Sequence, residues 1–150
     1  MAVASTSDFA GREIVVTGGT GALGGAVAGA LLAQGATVHV PWRTEAEADR
    51  YPHRGHVNMR LIEADLTDEG AVARLYGGIG ALWGSIHIAG GFAMAPIADT
   101  DRAAFLNQIE TNLMSCVLAS RAAVAAMRKA GRGGRIVNVT ARPGIEPRHG

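Results

Sequence analysis

Short runs of β-branched and other apolar residues recur along the chain, each closed by glycine, proline or aspartate. Longer segments of helical period separate them. The runs EIVVT (13–17), ATVHV (36–40), MRLIEA (59–64), SIHIA (85–89) and RIVNVT (135–140) have the length and composition of buried strands. Between them lie GALGGAVAGALLAQG (21–35), a weaker segment near 44–52, TDEGAVARLYGGIGAL (67–82) and a long stretch from Asp101 to Lys129. In that last stretch Phe105, Ile109, Leu113, Val117, Val124 and Met127 recur at helical spacing. Thr67 or Asp68 is placed to cap the third helix, and Asp99, Thr100 or Asp101 the fourth. Strand and helix alternating throughout predict an α/β fold: a doubly wound parallel sheet with right-handed crossovers and helices on both faces.

Length and composition narrow this picture. The 150 residues fit one domain, with residues 1–10 (MAVASTSDFA) expected as a flexible polar leader and 11–150 as the folded unit. Hydrophobic residues make up 48% and charged ones 18%, and no apolar run approaches the roughly 20 residues that cross a bilayer. The expectation is a soluble, cytoplasmic protein with no membrane segment. A net charge of +1 with scattered arginines argues against nucleic-acid binding. Cys116 is the sole cysteine, so no internal disulfide forms, and its pattern reads as a small buried core residue. The histidines of HRGH (53–56) lack an evident third ligand, so no metal site is expected.

The glycines of IVVTGGTGALGGAV stand at the turn between the first strand and the first helix. Gly18 suits the tight turn, Gly21 lets backbone approach a pyrophosphate, and Gly24 lets the helix pack close to the sheet. Free amides at the helix start then face the phosphates, aided by the macrodipole. A structural glycine turn is the plainer reading of the motif alone. A Walker-type loop is excluded because no Gly-Lys-Ser/Thr follows, and Ser85 in LWGSI lacks a nucleophile elbow.

Thr17, Gly18, Gly21 and Gly24 form Thr-Gly-x-x-Gly-x-x-Gly, which resembles the turn of the short-chain dehydrogenase/reductase family. Against that family's commoner Thr-Gly-x-x-x-Gly-x-Gly, Ala22 replaces the second glycine. EADLTD (63–68) is similar to the family's segment after the third strand, IHIAGG (86–91) to its Asn-Asn-Ala-Gly, IETNLMS (109–115) to its asparagine-bearing helix, and GRIVNVTA (134–141) to its fifth strand. His87 and Ile88 replace the two asparagines. Singly, each landmark has an ordinary explanation: Asp65 as a cap, Asn112 as a solvated helix residue, His87 as a satisfied core histidine. Their joint order has none.

The resemblance implies strand order 3-2-1-4-5, a nicotinamide dinucleotide cofactor and a small carbonyl or alcohol substrate. It implies that Gly18, Thr20, Gly21, Leu23 and Gly24 hold the pyrophosphate side, Asp65 the adenine amino group, Leu66 the adenine pocket, and Ala89, Gly90 and Gly91 the ribose. Asn112 would distort its helix and hold a water in the proton relay, and Thr140 would take the place of the family serine, although the next register puts Ala141 there. Trp42 stands where an NAD-selecting acid would be, with Arg43 next, so NADP is expected over NAD; Glu45 would oppose this if its loop returned to the ribose.

The family's Tyr-x-x-x-Lys pair does not occur. Four residues beyond Tyr51 and Tyr76 stand Gly55 and Gly80, and Ala125 precedes Lys129, the only lysine, by four. The expectation is a chain truncated after the fifth strand and inactive alone, the N-terminal part of an oxidoreductase subunit. The alternatives are a non-catalytic dinucleotide-binding module or an association fragment, with homo-oligomerisation through helix 101–129 on the face of Ile109, Leu113, Val117 and Val124.

Overall fold

The computed structural model describes residues 8–141. Five strands, β1 (Glu13–Thr17), β2 (Thr37–Trp42), β3 (Met59–Glu63), β4 (Leu82–His87) and β5 (Arg135–Asn138), form one sheet in the order β3-β2-β1-β4-β5. Every pairing is parallel. The crossovers carry α1 (Ala22–Ala33), α2 (Glu45–Asp49), α3 (Glu69–Gly77) and a long final helix of three parts: α4 (Arg102–Gln108), a π-helical segment (Ile109–Met114) and α5 (Ser115–Lys129).

Both faces of the central strands β1, β2 and β4 are largely buried, which explains why they read as continuous apolar runs rather than alternating ones, while β5 at the sheet edge is mostly exposed. In β1, Ile14 and Val16 face α1, where Ala28, Leu31 and Leu32 pack with Val38 and Val40. Val15 faces the opposite side, joining Val72, Leu75 and Tyr76 of α3 and Leu118, Ala119, Ala123 and Met127 of α5. Asp68 caps α3 by accepting from the Ala71 amide at 2.5 Å, and Asp101 caps α4 by accepting from Ala104 at 2.7 Å.

The strand boundaries depart from the pattern in instructive ways. β2 runs through Pro41 instead of stopping before it. Thr37 donates towards β1 and Val38 towards the β3 side, so the proline nitrogen lies on the β1 side, where the registered pairs already end at Val15 and His39. No ladder bond is lost there. β4 starts at Leu82 rather than Ser85 and ends at His87 rather than Ala89. Past His87 the chain leaves the ladder: the Ile88 and Ala89 amides reach the Thr17 hydroxyl at 3.2 and 3.3 Å. β5 ends at Asn138, two residues short of the expected limit.

The apolar residues of the long helix do not share one packed face. Met127 is buried, whereas Phe105, Leu113, Val117 and Val124 are 57%, 55%, 49% and 37% exposed. The π-helical segment widens the turn and shifts the phase, so a single period cannot hold from 102 to 129. At the other end, Phe9 packs edge-on against Trp83 and the Arg12 guanidinium lies 4.1 Å over the same ring, so residues 8–10 of the expected leader sit against the fold. No helix among the described residues is long and apolar enough to cross a membrane.

Candidate functional site

The glycine turn is built by contact. Gly18 has φ of 69°, and a Cβ there would lie 2.7–2.9 Å from the backbone of Ile88 and Ala89. Only glycine lets the β1 and β4 exits touch. The buried Thr17 side chain ties them together by accepting from the Ile88 and Ala89 amides. A Cβ at Gly24 would run into the Gly18 carbonyl oxygen, which brings α1 tight against the turn. Gly21 is the N-cap of α1; no side chain caps this end and no acidic residue occupies its first turn. The first amides of α1 are therefore left for an outside acceptor.

These residues open on a cleft of about 380 Å³ at the C-terminal ends of the strands. Gly18, Thr20, Gly21, Leu23 and Gly24 line one side, Trp42, Arg43, Asp65 and Leu66 another, and Ala89 and Gly90 the third. Eleven of the twelve residues expected at the dinucleotide thus meet in one space. Gly91, the twelfth, is not part of the lining; its amide donates to Asn112 Oδ1 at 2.9 Å. Asn112 lies within the π-helical segment, and its Nδ2 donates to the Gln108 carbonyl at 3.0 Å. A Cβ at Gly90 would lie 2.6 Å from Asn112 Oδ1, so glycine is again what permits the approach. Thr140 and Ala141 are both exposed beyond β5 and line no part of the cleft. Residues 142–150 lie outside the described residues.

Charge at the β2–β3 end of the cleft has a defined arrangement. Asp65 Oδ1 accepts from the Thr67 amide at 2.9 Å and its hydroxyl at 2.8 Å. These bonds, with the Arg43 charge nearby, hold its carboxyl below the usual carboxylate range. Glu45, the acid expected to interfere, is exposed and lines nothing here. Glu47 does so in its place: it lines the cleft half-buried, and its Oε2 accepts from the Arg43 amide at 2.9 Å. Two residues, about half a helical turn, separate the two choices, and Glu47 rather than Glu45 sits where a side chain of α2 reaches back to an amide before the helix.

A polar chain absent from the expectations runs from the buried Tyr76, Ser85 and His87 to the exposed Asn138. Tyr76 OH, Ser85 Oγ and His87 Nε2 follow at 2.8 Å each, and His87 Nδ1 meets Asn138 Oδ1 at 2.7 Å. With the imidazole proton on Nδ1, donation runs from Tyr76 to Ser85 to His87 Nε2, and from Nδ1 to Asn138, leaving no member unpaired. Burial lowers the His87 pKa against the opposing pull of the Asn138 hydrogen bond, and burial raises that of Tyr76. Cys116 is half-buried rather than core, with Sγ 3.9 Å from His87 Nδ1. Two signals were available: Ser85 and His87 are two apart on one strand, hence on one face, and Asn138 is the register partner of His87. Of the HRGH histidines, His53 packs edge-on to Tyr51 and His56 Nδ1 accepts from the Asn58 amide. No group of three or more potential metal ligands occurs among the described residues.

Comparison with known proteins gives a consistent result. The family model described as short chain dehydrogenase matches residues 12–150. The chain is 34% identical over 140 residues to a cis-4-hydroxycyclohexanecarboxylate dehydrogenase of Sinomonas cyclohexanicum, covering 88% of this chain and 55% of that protein. It is 29% identical over 139 residues to a sorbitol dehydrogenase of Cereibacter sphaeroides, covering 89% and 54%. A solved structure, a short chain dehydrogenase/reductase family protein, superposes with a TM-score of 0.82 at 30% identity, over 91% of this chain and 57% of that one. The chain spans about half the length of the curated relatives it matches.

Proposed function

Because the chain belongs to the short-chain dehydrogenase family, we propose that residues 11–150 form the dinucleotide-holding domain of an oxidoreductase that interconverts a small carbonyl compound and its alcohol. The observation that carries this reading is the cleft itself, where three separate strand exits supply a glycine cradle, an uncapped helix start and a carboxylate. A bound nicotinamide dinucleotide supplies or accepts the hydride. The chain's own residues bind and orient it: the amides of the glycine turn for the pyrophosphate, Asp65 and Leu66 for the adenine, and Ala89 and Gly90 for the ribose. Trp42 packs on the adenine and Arg43 pairs with a ribose 2′-phosphate, so NADP is preferred to NAD.

Asn112, held by Gly91 and Gln108, orients a water in the proton path, and Thr140 stands for the family serine. The proton donor itself has no counterpart in these residues. Tyr76 has its hydroxyl committed to Ser85 in the core, and no tyrosine stands four before a lysine. By itself the chain therefore binds the dinucleotide without turning substrate over. The missing Tyr-x-x-x-Lys pair also favours the plainer reading, a binding module with no chemistry of its own. Hydride transfer by the 150-residue chain with any carbonyl substrate would remove that second reading.

The cofactor reading is tested by calorimetric titration with NADPH and NADH. Arg43→Ala should weaken NADPH by about tenfold or more, since a charge-assisted contact is worth about 1.5–3 kcal/mol, and change NADH less than threefold. An unchanged ratio would remove the arginine argument. The exposed Leu113, Val117 and Val124 further support self-association through the long helix. Val117→Glu should lower the sedimentation-derived mass of any oligomer, and an unaltered mass would rule this face out.

A further inference from the structure

We propose that Glu47 is a cofactor-selecting residue that holds down the preference for a 2′-phosphorylated dinucleotide. The inference rests on the dinucleotide reading of the cleft and goes beyond it. The family's selecting acid would stand at the end of β2, where this chain has Trp42; here the carboxylate arrives from α2, five residues later. Glu47 Oε2 accepts from the Arg43 amide at 2.9 Å, inside the same cleft wall as Trp42, Arg43 and Asp65.

The two ribose chemistries meet this arrangement differently. A 2′-phosphate brings a charge of about −1.5 to −2 to a wall that already holds the Glu47 and Asp65 carboxylates against the single Arg43 cation. To use the Arg43 amide it must displace Glu47. A 2′-hydroxyl is a donor: it can bond the carboxylate and leave the Glu47–Arg43 contact in place. Glu47 and Arg43, four residues apart, therefore pull in opposite directions, and the net preference is their difference.

The same contact resembles an ordinary helix-start bond, so the test must separate selection from support. Glu47→Gln keeps an oxygen that accepts from the Arg43 amide and removes only the charge. Dissociation constants for NADPH and NADH are measured by calorimetry on wild type, Glu47→Gln and Arg43→Ala, with folding checked by circular dichroism. The expected result is a shift of the NADH/NADPH ratio by at least tenfold towards NADPH in Glu47→Gln, opposite in sign to Arg43→Ala. A ratio unchanged within threefold in Glu47→Gln, while Arg43→Ala moves it, overturns the role of Glu47 and leaves the dinucleotide reading intact. Equal weakening of both dinucleotides assigns the residue a purely supporting role and also overturns it. If wild type binds neither dinucleotide, the reading of the cleft falls and the inference with it. Should Glu47→Gln fail to fold, Glu47→Ala serves, because the ratio of two affinities on one protein is independent of its stability.

Discussion

Gly18 and Gly131 share a left-handed backbone, with φ of 69° and 65°, but differ in surroundings. A Cβ at Gly131 meets nothing within 4 Å, whereas one at Gly18 lands on the β4 exit. Gly131→Ala should therefore cost only the backbone term, about 1–2 kcal/mol, and Gly18→Ala that plus overpacking of about 1–3 kcal/mol. Urea unfolding of the two variants measures the difference; equal losses would mean that the β1 and β4 exits are not in contact. At this scale much of the site was legible. The glycines could be placed because a tight strand-to-helix turn demands them at fixed steps after a strand, and Asp65 and Asn112 because EADLTD and IETNLMS resemble segments of the family. Glu47 was not legible, since whether position 45 or 47 reaches the cleft depends on where a five-residue helix begins. That boundary is set by packing and not by composition.

The element that departs most from its pattern is the long helix, because its phase changes within the π-helical segment. Periodicity found the helix but not that change, to which only the resemblance pointed, by making Asn112 a helix-distorting residue. β4 and β5 are joined in a second way, through the Tyr76–Ser85–His87–Asn138 chain, which spans three elements. Ser85 is fully buried, so Ser85→Ala would leave both the Tyr76 hydroxyl and His87 Nε2 without partners, each unsatisfied group costing about 1–3 kcal/mol. In a double-mutant cycle, Tyr76→Phe should be costly alone and much cheaper on the Ser85→Ala background. Strict additivity of the two would mean that the hydroxyls do not interact.

For the molecule as a whole, the α/β class and the parallel pairing followed from the alternation of apolar runs and helical segments, whereas the order β3-β2-β1-β4-β5 came from the family resemblance, since alternation alone does not fix which strands are neighbours. Around neutral pH its stability should respond to two histidines. Burial lowers the pKa of His39, against the opposing pull of Glu13, and burial lowers that of His87. The unfolded chain, with ordinary histidines near 6.5, then binds protons the folded one refuses. Stability should be fully present above about pH 6.5 and decline as the pH falls below it towards the folded values. The urea midpoint should be lower at pH 5.5 than at pH 7.5, and His87→Asn should flatten the profile; equal midpoints for wild type would contradict neutral burial of both rings. The π-helical segment also sets what changes of length this fold can inherit. It behaves as a one-residue insertion that has become structural: deleting any residue between 109 and 114 would restore a regular helix but rotate everything beyond it by about 100°. Asn112 could then keep its place beside Gly91 only if Leu118, Ala119 and Ala123 left the core. Lineages carrying this fold should accept substitutions in that segment far more readily than gaps.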